Sequence, residues 1–153
     1  MRDVIAASIP IEPARPDELP EILSLLEECG LPQDGLRDHL SSTLVARREG
    51  GIVGSAALEI YGRAALLRSV TVRRDLRGAG MGGRLTAAAL NLALDLGVEE
   101  AYLLTETADS FFPRFGFRRI PRSEVPEDVR RSAEFVSACP AGARVRALKL
   151  RTG

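Results

Sequence analysis

Hydrophobic positions change period several times along this chain. Leu19, Ile22, Leu23 and Leu26 share one helical face behind Pro16-Asp17-Glu18, a proline and two acids suited to a helix start. Gly30 and Pro32 end that helix, and a weakly patterned second one follows over 34–40. The period then drops to that of strands. Ile9 to Ala14 gives a short first strand, and Leu44 to Arg48, Ile52 to Tyr61 and Leu66 to Val72 form a meander. Glu49-Gly50-Gly51 and Gly62-Arg63 supply its turns. Helical spacing returns from about Gly80 to Leu96, with Leu85, Ala88, Ala89, Leu92 and Leu96 as the apolar stripe and Gly97 as the stop. Glu100 to Thr105 reads as a strand, Ala108 to Phe115 as a short helix, Phe117 to Ile120 as a strand, Pro121 to Val136 as helix in pieces and Ala143 to Leu150 as a closing strand. A meander followed by alternating helices and strands predicts an α+β fold in one domain, with residues 1–8 as a loose end.

One junction carries chemistry. The apolar strand Val70-Thr71-Val72 runs into Arg73-Arg74-Asp75-Leu76-Arg77-Gly78-Ala79-Gly80-Met81-Gly82-Gly83-Arg84, and the helix opens directly behind it. Backbone N–H groups at such a helix start attract phosphate, and glycines let a ligand approach the main chain. A P-loop would need Lys-Ser or Lys-Thr where Arg84 follows Gly83. Gly78, Gly80 and Gly83 fit G-x-G-x-x-G, but the turn lies mid-chain after several strands, not in a first βαβ unit. The fitting pattern is Arg-x-x-Gly-x-Gly, at Arg77, Gly80 and Gly82, behind Val-x-Val.

Composition narrows the partners. The chain has 153 residues, 45% of them apolar, enough for a full core. Lys+Arg and Asp+Glu balance at 21 each, which argues against nucleic acid or an anionic membrane as partner. Cys29 and Cys139 make neither a disulfide framework nor, with His39 alone, a zinc site. No apolar run is long enough to span a bilayer, and Asp3 interrupts the apolar start. A cytoplasmic protein without a metal is the expectation.

Arg77, Gly80 and Gly82 behind Val-x-Val resemble the acetyl-CoA pyrophosphate loop of the GNAT superfamily of N-acetyltransferases. Ala101 to Thr105 followed by Phe111-Phe112-Pro113-Arg114-Phe115-Gly116-Phe117 resembles the same family's strand, short helix and F-Y-x-x-x-G-F segment. The family's fold is a mostly antiparallel mixed sheet with helices on both faces. The resemblance covers roughly residues 10–150. Leu104 to Phe112, Phe117-Arg118-Arg119, Arg122 to Pro126, Ala133-Glu134-Phe135 and Cys139-Pro140 look like the arsenic-resistance N-acetyltransferases, and are similar also to short N-acetylglutamate synthases. The synthases usually carry more cysteines after the Cys-Pro and an acid where Leu66 or Leu67 stands, which favours the first group.

The resemblance implies acetyl-CoA as cosubstrate and a primary amine of a small, amino-acid-like or arsenic-related acceptor attacking its thioester directly. Val70, Thr71 and Val72 would bond the pantetheine arm through their backbone. Arg77, Gly78, Ala79, Gly80, Met81 and Gly82 would hold the pyrophosphate, and Thr107, Phe111, Phe112 and Arg114 would line the coenzyme. A backbone N–H near Val70 would stabilise the oxyanion. Glu59 and Glu106, near strand ends expected to face the cleft, are the candidate bases. Arg68, Tyr61 and Thr105 are candidate acceptor contacts. Phe112 stands where the family often has a tyrosine that protonates the leaving thiolate, so no general acid is assigned. Many such enzymes form homodimers, and nothing in the sequence marks an interface. Two other readings stay open: N-acetylglutamate synthesis, and a non-catalytic CoA-binding regulatory module.

Overall fold

The computed structural model describes residues 5, 7–105, 111–137 and 144–150. Among them, seven strands form one sheet in the order β1-β2-β3-β4-β5-β7-β6. The strands are β1 (Ile11–Pro13), β2 (Thr43–Arg48), β3 (Gly51–Tyr61), β4 (Ala64–Val72), β5 (Glu100–Thr105), β6 (Arg118–Ile120) and β7 (Arg144–Lys149). All neighbours are antiparallel except β4 and β5. The helices are α1 (Leu19–Glu28), α2 (Met81–Asp95), α3 (Glu127–Arg130) and α4 (Ala133–Ser137), with short 3-10 turns between elements. The α+β expectation holds.

Three apolar clusters bind these layers. Leu85, Ala89 and Ala93 of α2 pack with Val53, Leu58 and Leu67 on one face of the sheet. On the other face, Ile22 and Leu26 of α1 meet Val45, Ile52 and Ala57, while Val129 and Phe135 of α3 and α4 meet Leu66, Tyr102 and Val145. The predicted stripe of α2 is off at its end: Leu96 is 51% exposed, whereas Leu90 and Ala93 are buried. The helix stops at Asp95, so Leu96 leaves the helical face before it can reach the sheet. The predicted helix over 34–40 is instead a 3-10 turn at Leu36–Ser42, entered through Gly35 at φ 78°. Of the predicted helix 108–115, residues 108–110 lie outside the described residues and Phe112–Phe115 is 3-10.

Two irregularities in β4 shape the site. Its pairing with β5 runs only from Ala64↔Glu100 to Leu66↔Tyr102. Both strands continue, β4 to Val72 and β5 to Thr105, without further pairing to each other, so they splay open toward their C-terminal ends. Against β3, Thr71 pairs with Ser55 but Arg68 pairs with Ala57, which leaves one extra residue on β4. That is a β-bulge, and Ser69 within it has φ 58°. The bulge switches side-chain parity. Ala65 and Leu67 face the α2 core before it, and Val70 and Val72 face that core after it.

Candidate functional site

The glycine turn sits at the open end of β4. Gly78 and Gly80 both have positive φ, 83° and 87°, a conformation that costs a side-chain-bearing residue energy. Gly80 caps α2, whose first turn has no acidic residue and no side-chain cap. The first N–H groups of this helix therefore have no partner from a capping side chain. A Cβ at Gly80 would meet nothing within 4 Å, so the approach to the turn is open. Ala79 is half-buried, and the Met81 side chain is 1% exposed in the core, so Met81 offers the site only its backbone.

The arginines near the turn are largely engaged by the protein. Arg77 donates to the Val72 carbonyl at 2.8 Å and to Cys29 Sγ at 3.2 Å. Arg73 pairs with Asp75, and Arg84 donates to the Ile9 carbonyl at 2.9 Å. Beside the turn, Glu28, Cys29, Arg73, Arg74 and Asp75 line an open cleft of about 420 Å³.

Across from α2, the aromatic segment forms a packed group. Phe111 stacks edge-on with Phe112 at 4.9 Å and lies 5.4 Å from Phe115, and Phe112 lies 6.0 Å from Phe117. Arg114 covers the Phe111 ring at 5.2 Å. A Cβ on Gly82 would come 3.5 Å from Phe111, so this ring rests against the first turn of α2. Phe111, Phe112 and Arg114 are thereby brought beside the glycine turn. Thr105 is half-buried at the end of β5, across the splay from β4.

Thr71 and Val72 are nearly buried on the last turn of β4, and Val70 is half-buried. The bulge at Ser69 sets their orientation. Sequence reasoning missed it, although the apolar parity shift between Leu67 and Val70 carries its signature.

On the opposite face of β4 lies a buried ionic cluster. Arg68 Nη1 donates to Glu59 Oε2 at 2.7 Å and to the Asp34 carbonyl at 2.7 Å, and Nη2 donates to the Pro32 carbonyl at 3.2 Å. Its Nε reaches Ser69 Oγ at 3.3 Å, and Glu134 Oε1 stands 3.6 Å away. Neither Arg68 nor Glu59 exposes any of its side chain. Tyr61 donates its hydroxyl to Glu59 Oε1, and His39 Nε2 lies 3.6 Å from the same oxygen. Burial and the neighbouring Glu59 push the Tyr61 phenol well above its ordinary range. Burial pushes Glu134 up to about 7, against the pull of Arg68 and with Glu59 adding to the rise.

This differs from the sequence expectation in two respects. Glu59 is not a cleft-edge carboxylate, because Arg68 on the paired strand draws it inward and neutralises it. Arg68, Tyr61 and Glu59 come together on the paired strands β3 and β4, and His39 and Glu134 join them from segments distant in sequence. Glu106, Thr107 and Cys139 lie outside the described residues.

The family model described as an acetyltransferase (GNAT) domain matches residues 39–119, and the chain belongs to this family. This is the domain family that the sequence resemblance implied. The chain is 26% identical over 134 residues to an amino-acid acetyltransferase of Neisseria meningitidis serogroup A, covering 82% of this chain and 31% of that protein. It is 28% identical over 108 residues to an N-acetyltransferase of Chlorobaculum tepidum, covering 70% of this chain and 67% of that one. Among solved structures it resembles N-acetylglutamate synthase from Neisseria gonorrhoeae, in complex with coenzyme A and N-acetyl-glutamate, at TM-score 0.79 and 23% identity over 94% of this chain and 35% of that one. It also resembles Rv2747 from Mycobacterium tuberculosis, in complex with CoA, at TM-score 0.78 and 25% identity over 93% and 99%. The chain thus spans about a third of the length of the Neisseria proteins it matches.

Proposed function

We propose that this domain transfers the acetyl group of acetyl-CoA to the α-amine of a small amino acid. The observation that carries the reading is the divergence of β4 from β5 after Leu66↔Tyr102, with the glycine turn and the uncapped start of α2 at its open end. That gap admits an extended pantetheine arm alongside Val70, Thr71 and Val72. Main-chain amides from Arg77 to Gly82 hold the pyrophosphate, aided by the α2 dipole. Phe111, Phe112 and Arg114 flank the same turn and line the coenzyme.

In this reading the acceptor amine attacks the thioester carbonyl carbon, the C–S bond breaks and the CoA thiolate leaves. The Val70 N–H, turned by the bulge, receives the oxyanion. Phe112 carries no acidic proton, and a thiol of pKa about 8.5 leaves as the thiolate without one. Glu59 is committed to Arg68 and Tyr61, so we assign it to holding those side chains. Water carries the amine proton away, with Glu106 as the carboxylate that accepts it. Arg68 is the cation for the acceptor's carboxylate, with Tyr61 linked to it through Glu59, and Thr105 is assigned to the acceptor from the end of β5. The amino-acid acetyltransferases among its relatives support an amino-acid acceptor.

The test is release of free CoA by the purified chain with acetyl-CoA and each proteinogenic amino acid, glutamate included. Turnover with at least one acceptor is expected. CoA binding without turnover on any amine would favour a regulatory module instead. The arsenic-related acceptor rests on the pattern through 104–140. Equal growth of a sensitive host on arsenicals with and without the gene would count against it.

A further inference from the structure

The face of β4 that carries Arg68 holds more negative charge than its one guanidinium balances. Glu59 and Glu134 both face Arg68 from within the protein. They are not held equally. Glu59 accepts hydrogen bonds from Arg68 Nη1 and the Tyr61 hydroxyl, with no exposure. Glu134 reaches Arg68 only at 3.6 Å, beyond hydrogen-bond length, and its side chain keeps 8% exposure. At Arg68 Nε the one hydrogen bond, to Ser69 Oγ, is a long 3.3 Å. The looser of the two carboxylates facing Arg68 is thus also the more exposed one.

We propose that Glu134 occupies the place of the acceptor's carboxylate at Arg68, so that an incoming amino acid displaces it and Glu134 sets acceptor affinity. The proposal rests on the amino-acid reading above. Binding exchanges one carboxylate for another. No bond forms or breaks, and the charge beside Arg68 is unchanged while Glu134 moves to water. Only the side chain need swing. The backbone of α4 stays anchored by Phe135, which is buried and donates its N–H to Ser132 Oγ at 2.9 Å, and by Ala133, whose Cβ fits against Gly35.

The charged groups acting on Glu134 are Arg68 on β4 and Glu59 on β3, and Tyr61 on β3 and His39 on the 3-10 turn Leu36–Ser42 touch that Glu59 in turn. Burial holds the Glu134 carboxyl near 7, so it is neutral on the acid side and charged on the alkaline side. Displaced into water it returns to its ordinary value of about 4.3, so binding favours the charged carboxylate and releases a proton, and the acceptor KM falls about tenfold from pH 6 to pH 8.

The experiment compares wild type, Glu134→Gln and Arg68→Gln, using the best L-amino acid acceptor and its α-amide, from pH 6 to pH 8. The wild-type amino-acid KM should fall about tenfold from pH 6 to pH 8, whereas Glu134→Gln should lose that dependence with kcat unchanged. The α-amide should show no such difference. A wild-type to Glu134→Gln KM ratio that is the same at both pH values, with Arg68→Gln still raising KM, would overturn the role of Glu134 and leave Arg68 standing. Equal KM for acid and amide in every variant would overturn the amino-acid reading and this inference with it. A second readout needs no variant. The ¹³C-labelled carboxyl of Glu134 should titrate near 7 alone and near its ordinary value of about 4.3 with saturating amino acid; a titration that does not move overturns the displacement.

Discussion

Arg68 and Glu59 form an ion pair at 2.7 Å across β4 and β3 with neither side chain exposed. The pair ties the 3-10 turn Leu36–Ser42 to the sheet, because the same guanidinium also holds the carbonyls of Pro32 and Asp34 just ahead of it. Glu59→Gln leaves the Arg68 charge buried and weakly balanced. Loss of one partner of such a pair costs about 3–5 kcal/mol. Urea denaturation should register that loss, with Glu134 as the remaining carboxylate holding it to the lower end.

The glycine turn predicts a clean loss of coenzyme. Gly80 has φ 87°, which costs an L residue about 1–2 kcal/mol. Gly80→Glu adds a negative charge at the start of α2. Calorimetry should show no acetyl-CoA binding to this variant, while Gly80→Ala should retain weakened binding.

Close approach of β3 to α2 predicts a packing cost without a change in chemistry. A Cβ on Gly54 would lie 2.9 Å from Leu85 Cδ1 and 3.2 Å from the Thr71 carbonyl. Gly54→Ala should destabilise by about 1–3 kcal/mol in thermal melts. Because Thr71 belongs to the strand end proposed to hold the pantetheine arm, the variant's KM for acetyl-CoA should rise as well.

Acid stability should depend on Glu18. Arg47 donates to it through Nε at 2.6 Å and Nη2 at 2.7 Å and holds its carboxyl down at about 2, with the Arg15 N–H adding a third bond. A lowered folded-state pKa stabilises above the unfolded value of about 4.3, and that stabilisation is lost as pH falls toward 2. Glu18→Gln should therefore lower Tm at pH 7, and the gap to wild type should close by pH 2.

Most of the architecture was legible because period and punctuation agreed. Leu19, Ile22 and Leu26 marked α1, Gly50 and Gly62 marked the hairpins, and Arg77, Gly80 and Gly82 marked the turn before α2. These are local signals, fixed by neighbours in sequence. The ionic cluster was not legible, since Arg68, Glu59 and Glu134 come from three separated segments and their charges look like solvated ones until the fold buries them. Leu96 misled for the converse reason: its spacing suited the stripe, but the helix ended first. The bulge at Ser69 left a trace only in parity, with Leu67 and Val70, three apart, on one face of the strand.

That single surplus residue at Ser69 divides β4 into two independent halves. Upstream of it Arg68 looks toward α4, and downstream of it Val70 and Val72 look toward α2. In the function proposed above, substitution of Arg68 would retune which molecule is modified while Val70 and Val72 keep their frame. Deleting one residue there would instead turn the donor-side residues over, and a single codon would disable both halves together.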